Sequence, residues 1–277
     1  MRSLISLAML AIMLVAGYQP TAKLPAIDPA AVISPAPTEQ PAPSTTPTPV
    51  PTPSASPELP LEPEVVCYDY TAPVPEAAPV DETWFADAVF IGDSRTDGLR
   101  LYGGIKGADF LCYKGLSVFE VMEDKQTIRT QAGTVSVFQA LQQKSYGKVY
   151  LMLGLNELGY NNDPLFADTY EAVVDKVLEL QPEADLYLQL LIPVNTQVCR
   201  ATNQPYYVTN EKIAAYNELI QAIAAEKQVY LLDVGEAFVD ETGEIPADAS
   251  ADGIHFRKEG YKGWYEYLKV HTVEETT

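Results

Sequence analysis

The sequence predicts an α/β fold, a three-layer α/β/α sandwich around a flavodoxin-like five-stranded parallel sheet. From about Trp84 onward, short apolar runs alternate with segments whose apolar residues recur every three or four positions. That alternation is typical of strands buried on both faces and of the amphipathic helices between them. We therefore place one domain of this kind at residues 84–272, a length that suits a single hydrophobic core.

Five apolar runs are the strand candidates. Each is short and mostly apolar, as expected of a strand that helices cover on both faces. In chain order the candidates are Ala88–Ile91, Asp109–Tyr113, Lys148–Leu153, Asp185–Ile192 and Val229–Leu232. Such sheets bind ligands beyond the carboxyl ends of their strands, so we expect catalytic residues in the loops that follow these runs.

Three helices are indicated by apolar residues at spacings of three and four. The first carries Phe166, Tyr170, Val173, Val177 and Leu180, the second Ile213, Tyr216, Ile220 and Ile223, and the last Tyr261, Trp264, Tyr265 and Leu268. We expect these side chains to pack in the core and assign no ligand to the aromatic ones.

The first 17 residues have the pattern of an export signal. Arg2 precedes an apolar run that is too short to span a bilayer comfortably, and Gly17 suits cleavage by a signal peptidase. The end of the run resembles a bacterial lipoprotein signal, but Tyr18 stands where the lipid-bearing cysteine would be. We expect an extracellular or cell-surface protein, attached to the membrane only through an uncleaved or modified N-terminus, if at all.

Residues 18–83 are predicted to be a disordered linker. The segment is dense in Pro, Thr, Ser and Ala, as in the stretch 46–51, and such sequences favour extended polyproline conformations over helices and sheets. Two interpretations stay open: a spacer that holds the domain away from the membrane, and a tether with no role beyond linking.

The net charge and the cysteine spacing limit what the protein is expected to bind. A formal net charge of -20 argues against binding to nucleic acid or to an anionic lipid surface. Cys67, Cys112 and Cys199 lack metal-ligand spacing, and which of them pair, if any, is open. We expect a monomer that needs no metal and no organic cofactor.

A serine follows the first predicted strand, in Gly92-Asp93-Ser94-Arg95. This position brings a hydroxyl to the carboxyl edge of the sheet and beside a helix N-terminus, which favours developing negative charge. The alternative is that Asp93 and Ser94 only cap the helix.

A serine nucleophile needs a base held by a carboxylate, and the chain has two histidines. His271 is at the C-terminal fringe, where we expect it to be exposed. His255 precedes the last helix, in a loop at the same edge as Ser94, and Asp252 can reach its ring through a turn at Gly253. Asp233, which ends the last strand, is a competing carboxylate that we rank second.

Two further residues can stabilise an oxyanion. Gly115 follows the second predicted strand and Asn156 follows the third. Each alone has a plain structural explanation, as a turn glycine and a loop asparagine. Arg95 and Glu157 adjoin the candidate residues and are our candidates for substrate contact, although Arg95 could equally be a structural charge.

The order serine, glycine, asparagine, histidine resembles the four blocks of the SGNH/GDSL hydrolase family. The resemblance runs from about Ala86 to Leu268. It implies the three-layer fold, a Ser94–His255–Asp252 triad, and an oxyanion hole made by the backbone N–H groups of Ser94 and Gly115 with the Asn156 side chain. The third block departs from the usual Gly-x-Asn-Asp, because Glu157 follows the asparagine, which keeps the amide donor and lengthens the neighbouring acid.

The function this implies is hydrolysis of small acyl esters, acetyl esters first, on carbohydrate or cell-wall glycan. The substrate partner is then a small ester or an acetylated glycan. Two alternatives stay open: an O-acyltransferase acting on cell-surface glycan, and a non-catalytic glycan-binding surface protein. A lipase is disfavoured because the sequence contains no long apolar lid.

Overall fold

Five parallel strands form the central sheet of the protein, for which a computed structural model describes residues 68–131 and 133–273. The strands in chain order are β1 (Ala88–Gly92), β2 (Asp109–Cys112), β3 (Ile128–Thr130), β4 (Gly133–Val135), β5 (Lys148–Met152), β6 (Asp185–Gln189) and β7 (Tyr230–Leu232). The sheet has the order β2-β1-β5-β6-β7, and β3 and β4 form a separate antiparallel pair. All five predicted strand regions lie in the sheet, which confirms the fold class.

Helices flank this sheet. They are α1 (Ser94–Tyr102), α2 (Val118–Met122), α3 (Val137–Leu141), α4 (Asp163–Leu180), α5 (Thr196–Ala201), α6 (Asn210–Lys227) and α7 (Lys258–Val270). Helix α1 packs against α7, whereas α4 packs against α2, α3 and α6. Within the described ranges, no helix combines the length and the apolar character needed to cross a membrane.

An aromatic ladder crosses the middle of the sheet. Phe90 on β1 is in register with Tyr150 on β5, which in turn is in register with Tyr187 on β6. The Phe90 and Tyr150 rings stack 4.6 Å apart and the Tyr150 and Tyr187 rings 4.8 Å apart. Large rings at matching positions bury much apolar area and hold neighbouring strands in register.

The buried residues of the helices agree with their predicted apolar faces, since only Leu180 among them is partly exposed. The predicted strand at 185–192 ends early, at Gln189. Residues 190–192 are nonetheless buried, and the Asn217 side chain hydrogen-bonds both the N–H and the carbonyl of Leu191. A buried loop thus has the same apolar composition as a buried strand, so the sequence pattern could not separate them.

The folded domain begins before residue 84. Val74 is buried and its N–H donates to the Leu231 carbonyl on β7, 2.8 Å away. Farther along, Ala77 and Val80 donate backbone hydrogen bonds to residues at the end of α7. The boundary predicted between linker and domain is therefore wrong, because a proline-rich composition concealed a segment that pairs with the domain.

The rest of the predicted linker, the predicted signal at residues 1–17 and Cys67 lie outside the described residues. Cys112 and Cys199 are free thiols.

Candidate active site

Ser94 is the first residue of α1 and directly follows the turn out of β1. Asp93 caps the helix, because its side chain accepts a hydrogen bond from the Arg95 N–H at 2.9 Å. A Cβ at Gly92 would lie 2.0 Å from the Thr96 hydroxyl and 2.7 Å from the Met152 carbonyl. Glycine therefore lets α1 and β5 approach the end of β1 closely, and since Asp93 does the capping, the Ser94 hydroxyl is left for another partner.

The partner of that hydroxyl is His255. Ser94 Oγ lies 2.8 Å from His255 Nε2, and His255 Nδ1 lies 2.7 Å from Asp252 Oδ2. A carboxylate at Nδ1 keeps the ring proton on that nitrogen, so Nε2 is the atom that can accept the serine proton. The three side chains that sequence reasoning grouped therefore form one hydrogen-bonded chain.

The loop that carries His255 is held by its own side chains. Asp252 Oδ1 accepts hydrogen bonds from the N–H groups of Ile254 and His255, at 2.9 and 2.8 Å. Ser250 Oγ accepts from the Gly253 N–H and donates to the His255 carbonyl. Gly253 has φ +86, and a Cβ there would lie 2.5 Å from the Cys199 sulfur, so glycine is required.

Asp252 is an ionised carboxylate at neutral pH. Partial burial by itself raises its pKa, but the hydrogen bonds from the backbone and ring of His255 and from the Ile254 N–H outweigh burial and lower the pKa to about 2. Asp233, the competing candidate, has a pKa raised by burial and by the charge of Glu236. Since Asp252 contacts the ring, the geometry favours it over Asp233.

His271 lies apart from this chain of side chains. Its Nδ1 is 2.8 Å from the Tyr267 carbonyl and its ring stacks on the Tyr267 ring. Only 7% of the residue is exposed, so the prediction that His271 is exposed is wrong. It packs against α7 because the segment after the helix folds back onto the domain.

Gly115 lies in the exposed loop after β2, with φ +86, and a Cβ there would meet open space. Among the described residues, nothing accepts a hydrogen bond from its N–H. The Ser94 N–H, in the first turn of α1, is likewise without an intrahelical acceptor. Both backbone donors are therefore available to a ligand.

The Asn156 amide is held beside them. Its Nδ2 donates to the Leu116 carbonyl at 2.9 Å and to Asp93 Oδ2 at 3.2 Å. Asp93 is fully buried, and burial raises its pKa against the opposing effect of the Arg95 N–H. A ligand oxygen must therefore compete with one of two acceptors for the Asn156 donor.

Arg95 does not face a substrate. The residue is 2% exposed, and Nη1 donates to the Ile192 carbonyl at 2.6 Å. Burial lowers the pKa of Arg95, and the charges of Asp93 and Tyr261 oppose that effect. The prediction of substrate contact is wrong for Arg95, because the second residue of α1 points into the interior and bonds the loop after β6.

Glu157 is also a structural group. It is fully buried, and Oε1 accepts a hydrogen bond from the Val118 N–H at 2.5 Å, which fixes the start of α2. Burial raises the pKa of Glu157 to about 8. Substrate contact was wrongly predicted here too, since the longer side chain reaches a backbone N–H in the interior.

Sequence reasoning missed an aromatic surface near the site. Tyr206, in the loop between α5 and α6, is 92% exposed, and Tyr207 lies against Gly159, three residues after Asn156. Thr202, at the start of the same loop, donates to the Asp252 carbonyl. Two adjacent tyrosines in a predicted loop were the available signal.

No group of three or more His, Cys, Asp or Glu side chains suited to a metal ion occurs in the described part of the chain. The Ser94 site offers a nucleophile, a base and hydrogen-bond donors, which is what acyl transfer requires.

Comparison with known proteins agrees with this chemistry. The GDSL-like Lipase/Acylhydrolase family matches residues 90–262. An isoamyl acetate-hydrolyzing esterase of Saccharomyces cerevisiae is 36% identical over 66 residues, a stretch that covers 24% of this chain and 28% of the yeast protein. The match thus spans less than a third of that relative.

Two solved structures share the fold. A protein of Streptococcus pneumonia, provisionally described as a platelet activating factor, superposes with a TM-score of 0.54 at 22% identity, covering 68% of this chain and 89% of its own. A provisionally described GDSL-like lipase of Parabacteroides merdae gives a TM-score of 0.52 at 12% identity, covering 72% of this chain and 99% of its own.

Proposed function

Because the chain belongs to the GDSL-like lipase/acylhydrolase family, we propose that it is a serine esterase whose nucleophile is Ser94. The observation that carries the proposal is the hydrogen-bonded chain from Ser94 Oγ through the His255 ring to Asp252, with contacts of 2.8 and 2.7 Å. In the proposed roles His255 is the general base and Asp252 orients its ring.

In the acylation half, Ser94 Oγ attacks the acyl carbon while its proton passes to His255 Nε2. The carbonyl π electrons move onto oxygen and form an oxyanion. When the tetrahedral intermediate collapses, the bond to the alcohol oxygen breaks and His255 gives that oxygen its proton. The products of this half are a free alcohol and an acyl group on Ser94.

In the deacylation half, water attacks the acyl group and loses a proton to the same His255 nitrogen. Collapse of the second intermediate breaks the bond to Ser94 Oγ, which takes the proton back. The acid is released and the enzyme returns to its starting state. Asp252, ionised above its pKa of about 2, stabilises the imidazolium at each step.

We assign the oxyanion to the N–H groups of Ser94 and Gly115 and to the Asn156 amide. The contact of Asn156 with Asp93 is the longer of its two, at 3.2 Å against 2.9 Å to Leu116. The oxyanion would therefore take the hydrogen that now points to Asp93. Donors that are already oriented lower the barrier because they need not reorganise during the reaction.

For the substrate we propose a small acyl group, acetyl in the first place, on a carbohydrate. The yeast relative acts on an acetate ester, which supports a short acyl chain. Exposed aromatic rings such as Tyr206 and Tyr160 support a sugar as the alcohol part, since rings of this kind bind the apolar faces of sugars.

Transfer to a second sugar is the alternative reaction. The acyl-enzyme accepts water or an alcohol by the same steps, and the His255 side chain, about one third exposed, is open to either. The two reactions differ in products, so free acetate released in the presence of an acceptor glycan measures hydrolysis and acetylated acceptor measures transfer.

We propose further that the protein works outside the cell, as a monomer without a metal, organic cofactor or nucleic-acid partner. The export-type N-terminal sequence and the net charge of -20 support this proposal. Fractionation of cells that produce the full chain, followed by sizing of the purified protein, tests location and oligomeric state.

The test of the proposed function is turnover of 4-nitrophenyl acetate by the full-length protein, by Ser94→Ala and by His255→Ala. We expect both variants to lose at least about a thousandfold in kcat while unfolding at the temperature of the wild type. A fluorophosphonate should label the wild type at Ser94 only. A wild type that is as inactive as the two variants and takes no label would favour the glycan-binding alternative.

A further inference from the structure

A cavity of about 450 Å³, here called the β2 cavity, opens between α1, β2 and β3. Its walls come from α1, from the end of β2 with the loop after it, and from β3. Six of its lining residues carry titratable side chains: Asp97, Arg100, Cys112, Tyr113, Lys114 and Arg129.

The β2 cavity and the candidate site are built on two of the same elements, α1 and the loop after β2. Tyr113 donates a backbone hydrogen bond to the Gly92 carbonyl, two residues before Ser94, and Lys114 directly precedes Gly115. Asp97 lies three residues after Ser94 on the same helix, a rise of about 4.5 Å. A ligand group in the cavity would therefore be a short distance from an ester held at Ser94.

Positive charge predominates in this cavity. Arg100 is paired with Asp97, with Nη2 at 2.8 Å from Oδ1. Lys114 and Arg129 are exposed, and neither has an acidic partner or a side-chain hydrogen bond within residues 68–131 and 133–273. Burial raises the pKa of the Cys112 thiol to about 12, so it adds no negative charge.

Two unpaired cations in one cavity are unusual in a chain whose net charge is -20. A local excess of positive charge attracts anions, although the negative net charge of the whole protein repels them. The planar guanidinium of Arg129 can bind a carboxylate through two hydrogen bonds, and the Lys114 ammonium can add a third.

We propose that the β2 cavity is a subsite for the carboxylate of an acidic sugar, so that the substrate is an acylated glycan containing uronic acid units. This inference rests on the proposed function and narrows its substrate class. The sequence analysis named Arg95 as a candidate for substrate contact. We assign that contact to Lys114 and Arg129, because these two residues are exposed whereas Arg95 is buried.

A sugar fits the lining better than an anionic lipid. The Tyr113 ring is 44% exposed and can stack on a sugar face. Of the lining residues only Phe110 and Ile128 are purely apolar, which leaves no wall long enough for an acyl chain. A free anion would satisfy the cations alone and leave Tyr113 without a partner.

The test compares two substrates on the full-length protein: an oligouronide and its carboxyl-reduced counterpart, both acetylated to the same degree. The variant Lys114→Gln/Arg129→Gln should lower the ratio of their kcat/KM values about tenfold. As the control, Lys106→Gln/Lys176→Gln removes two ion-paired surface cations outside the cavity and should leave the ratio unchanged. Calorimetry with the unacetylated oligouronide measures binding without turnover, and the cavity variant should bind several times more weakly than the control.

Equal ratios for wild type, cavity variant and control, together with equal binding, would overturn the subsite and leave the esterase intact. Failure of the wild type on every ester would overturn the proposed function, while the calorimetric difference would still decide the subsite. Binding of phosphatidylglycerol vesicles that the cavity variant loses, with no binding of oligouronide, would replace the sugar by a lipid and so overturn the inference.

Discussion

Ser94 Oγ and His255 Nε2 lie 2.8 Å apart, although 161 residues separate them in the chain. The contact forms because β1 ends where the loop before α7 returns to the same edge of the sheet, and α1 packs directly on α7. A mutation that shifts α7 against α1 would therefore lengthen this contact, even without touching either residue.

Replacing Asp252 or Asp233 by asparagine distinguishes the roles of the two carboxylates. Asp252→Asn keeps the shape but removes the charge that holds His255 Nδ1–H, so kcat should fall about 10³- to 10⁴-fold. Asp233→Asn, at a carboxyl that lies off the hydrogen-bonded chain, should change kcat less than about twofold. Steady-state kinetics on 4-nitrophenyl acetate checks both, and equal losses would contradict the assignment of Asp252.

Alanine variants at Gly115 and Gly104 distinguish the loss of an oxyanion donor from the effect of backbone strain. Both have positive φ, +86 and +90, and a Cβ at either meets open space. Alanine at each should destabilise the fold by about 1–2 kcal/mol, since left-handed backbone is costly for it. Only Gly115→Ala should also lower kcat, by about tenfold or more, because it disturbs an oxyanion donor.

Urea unfolding measures the loss of stability in these two alanine variants, and ester turnover measures the loss of activity. If Gly104→Ala lost as much kcat as Gly115→Ala, backbone strain alone would explain both and the oxyanion role of Gly115 would be withdrawn.

Glu157 should make stability fall as the pH rises. Its pKa is about 8 in the folded protein against a model-peptide value of 4.5. The folded state therefore keeps a proton that the unfolded chain releases, so the free energy of unfolding decreases between about pH 4.5 and 8 by on the order of 4–5 kcal/mol at most. Glu157→Gln keeps the acceptor for Val118 N–H and should remove this slope.

Urea unfolding of wild type and Glu157→Gln at several values across pH 5–8 measures that difference. Glu218→Gln, at an exposed position on α6, is the control and should run parallel to the wild type. If the Glu157→Gln curve also ran parallel, Glu157 would have to be ionised in the folded protein throughout this range.

Tyr206 should matter for glycans and not for small esters. Loss of one stacked ring should lower kcat/KM of Tyr206→Ala on an acetylated oligosaccharide about three- to tenfold. Turnover of 4-nitrophenyl acetate, too small to reach this loop, should not change. Tyr102→Ala, at an exposed tyrosine on α1, is the matched control, and an equal loss there would argue against an aromatic sugar site at Tyr206.

Periodicity predicted the sheet because its central strands β1, β5 and β6 are buried on both faces and are therefore mostly apolar. It did not predict the β3–β4 pair, which is short and partly exposed, or the attachment of residues 68–83. In both places the stabilising contacts are backbone hydrogen bonds and single apolar residues such as Val74, and neither produces a repeating pattern.

The candidate catalytic residues could be identified from the amino-acid sequence alone: one serine at a strand end, one histidine preceded by an aspartate at a turn, and a glycine and an asparagine after neighbouring strands. Their order along the chain was enough, because parallel strands bring such ends to one edge. Which neighbouring charged residues are buried and which are exposed became known only from the three-dimensional packing. Arg95 and Glu157 adjoin candidate residues in sequence but are buried, whereas Lys114 and Arg129 are exposed in one cavity. Burial depends on which helix and loop pack over a residue, and the residue's own neighbours in the chain do not encode that.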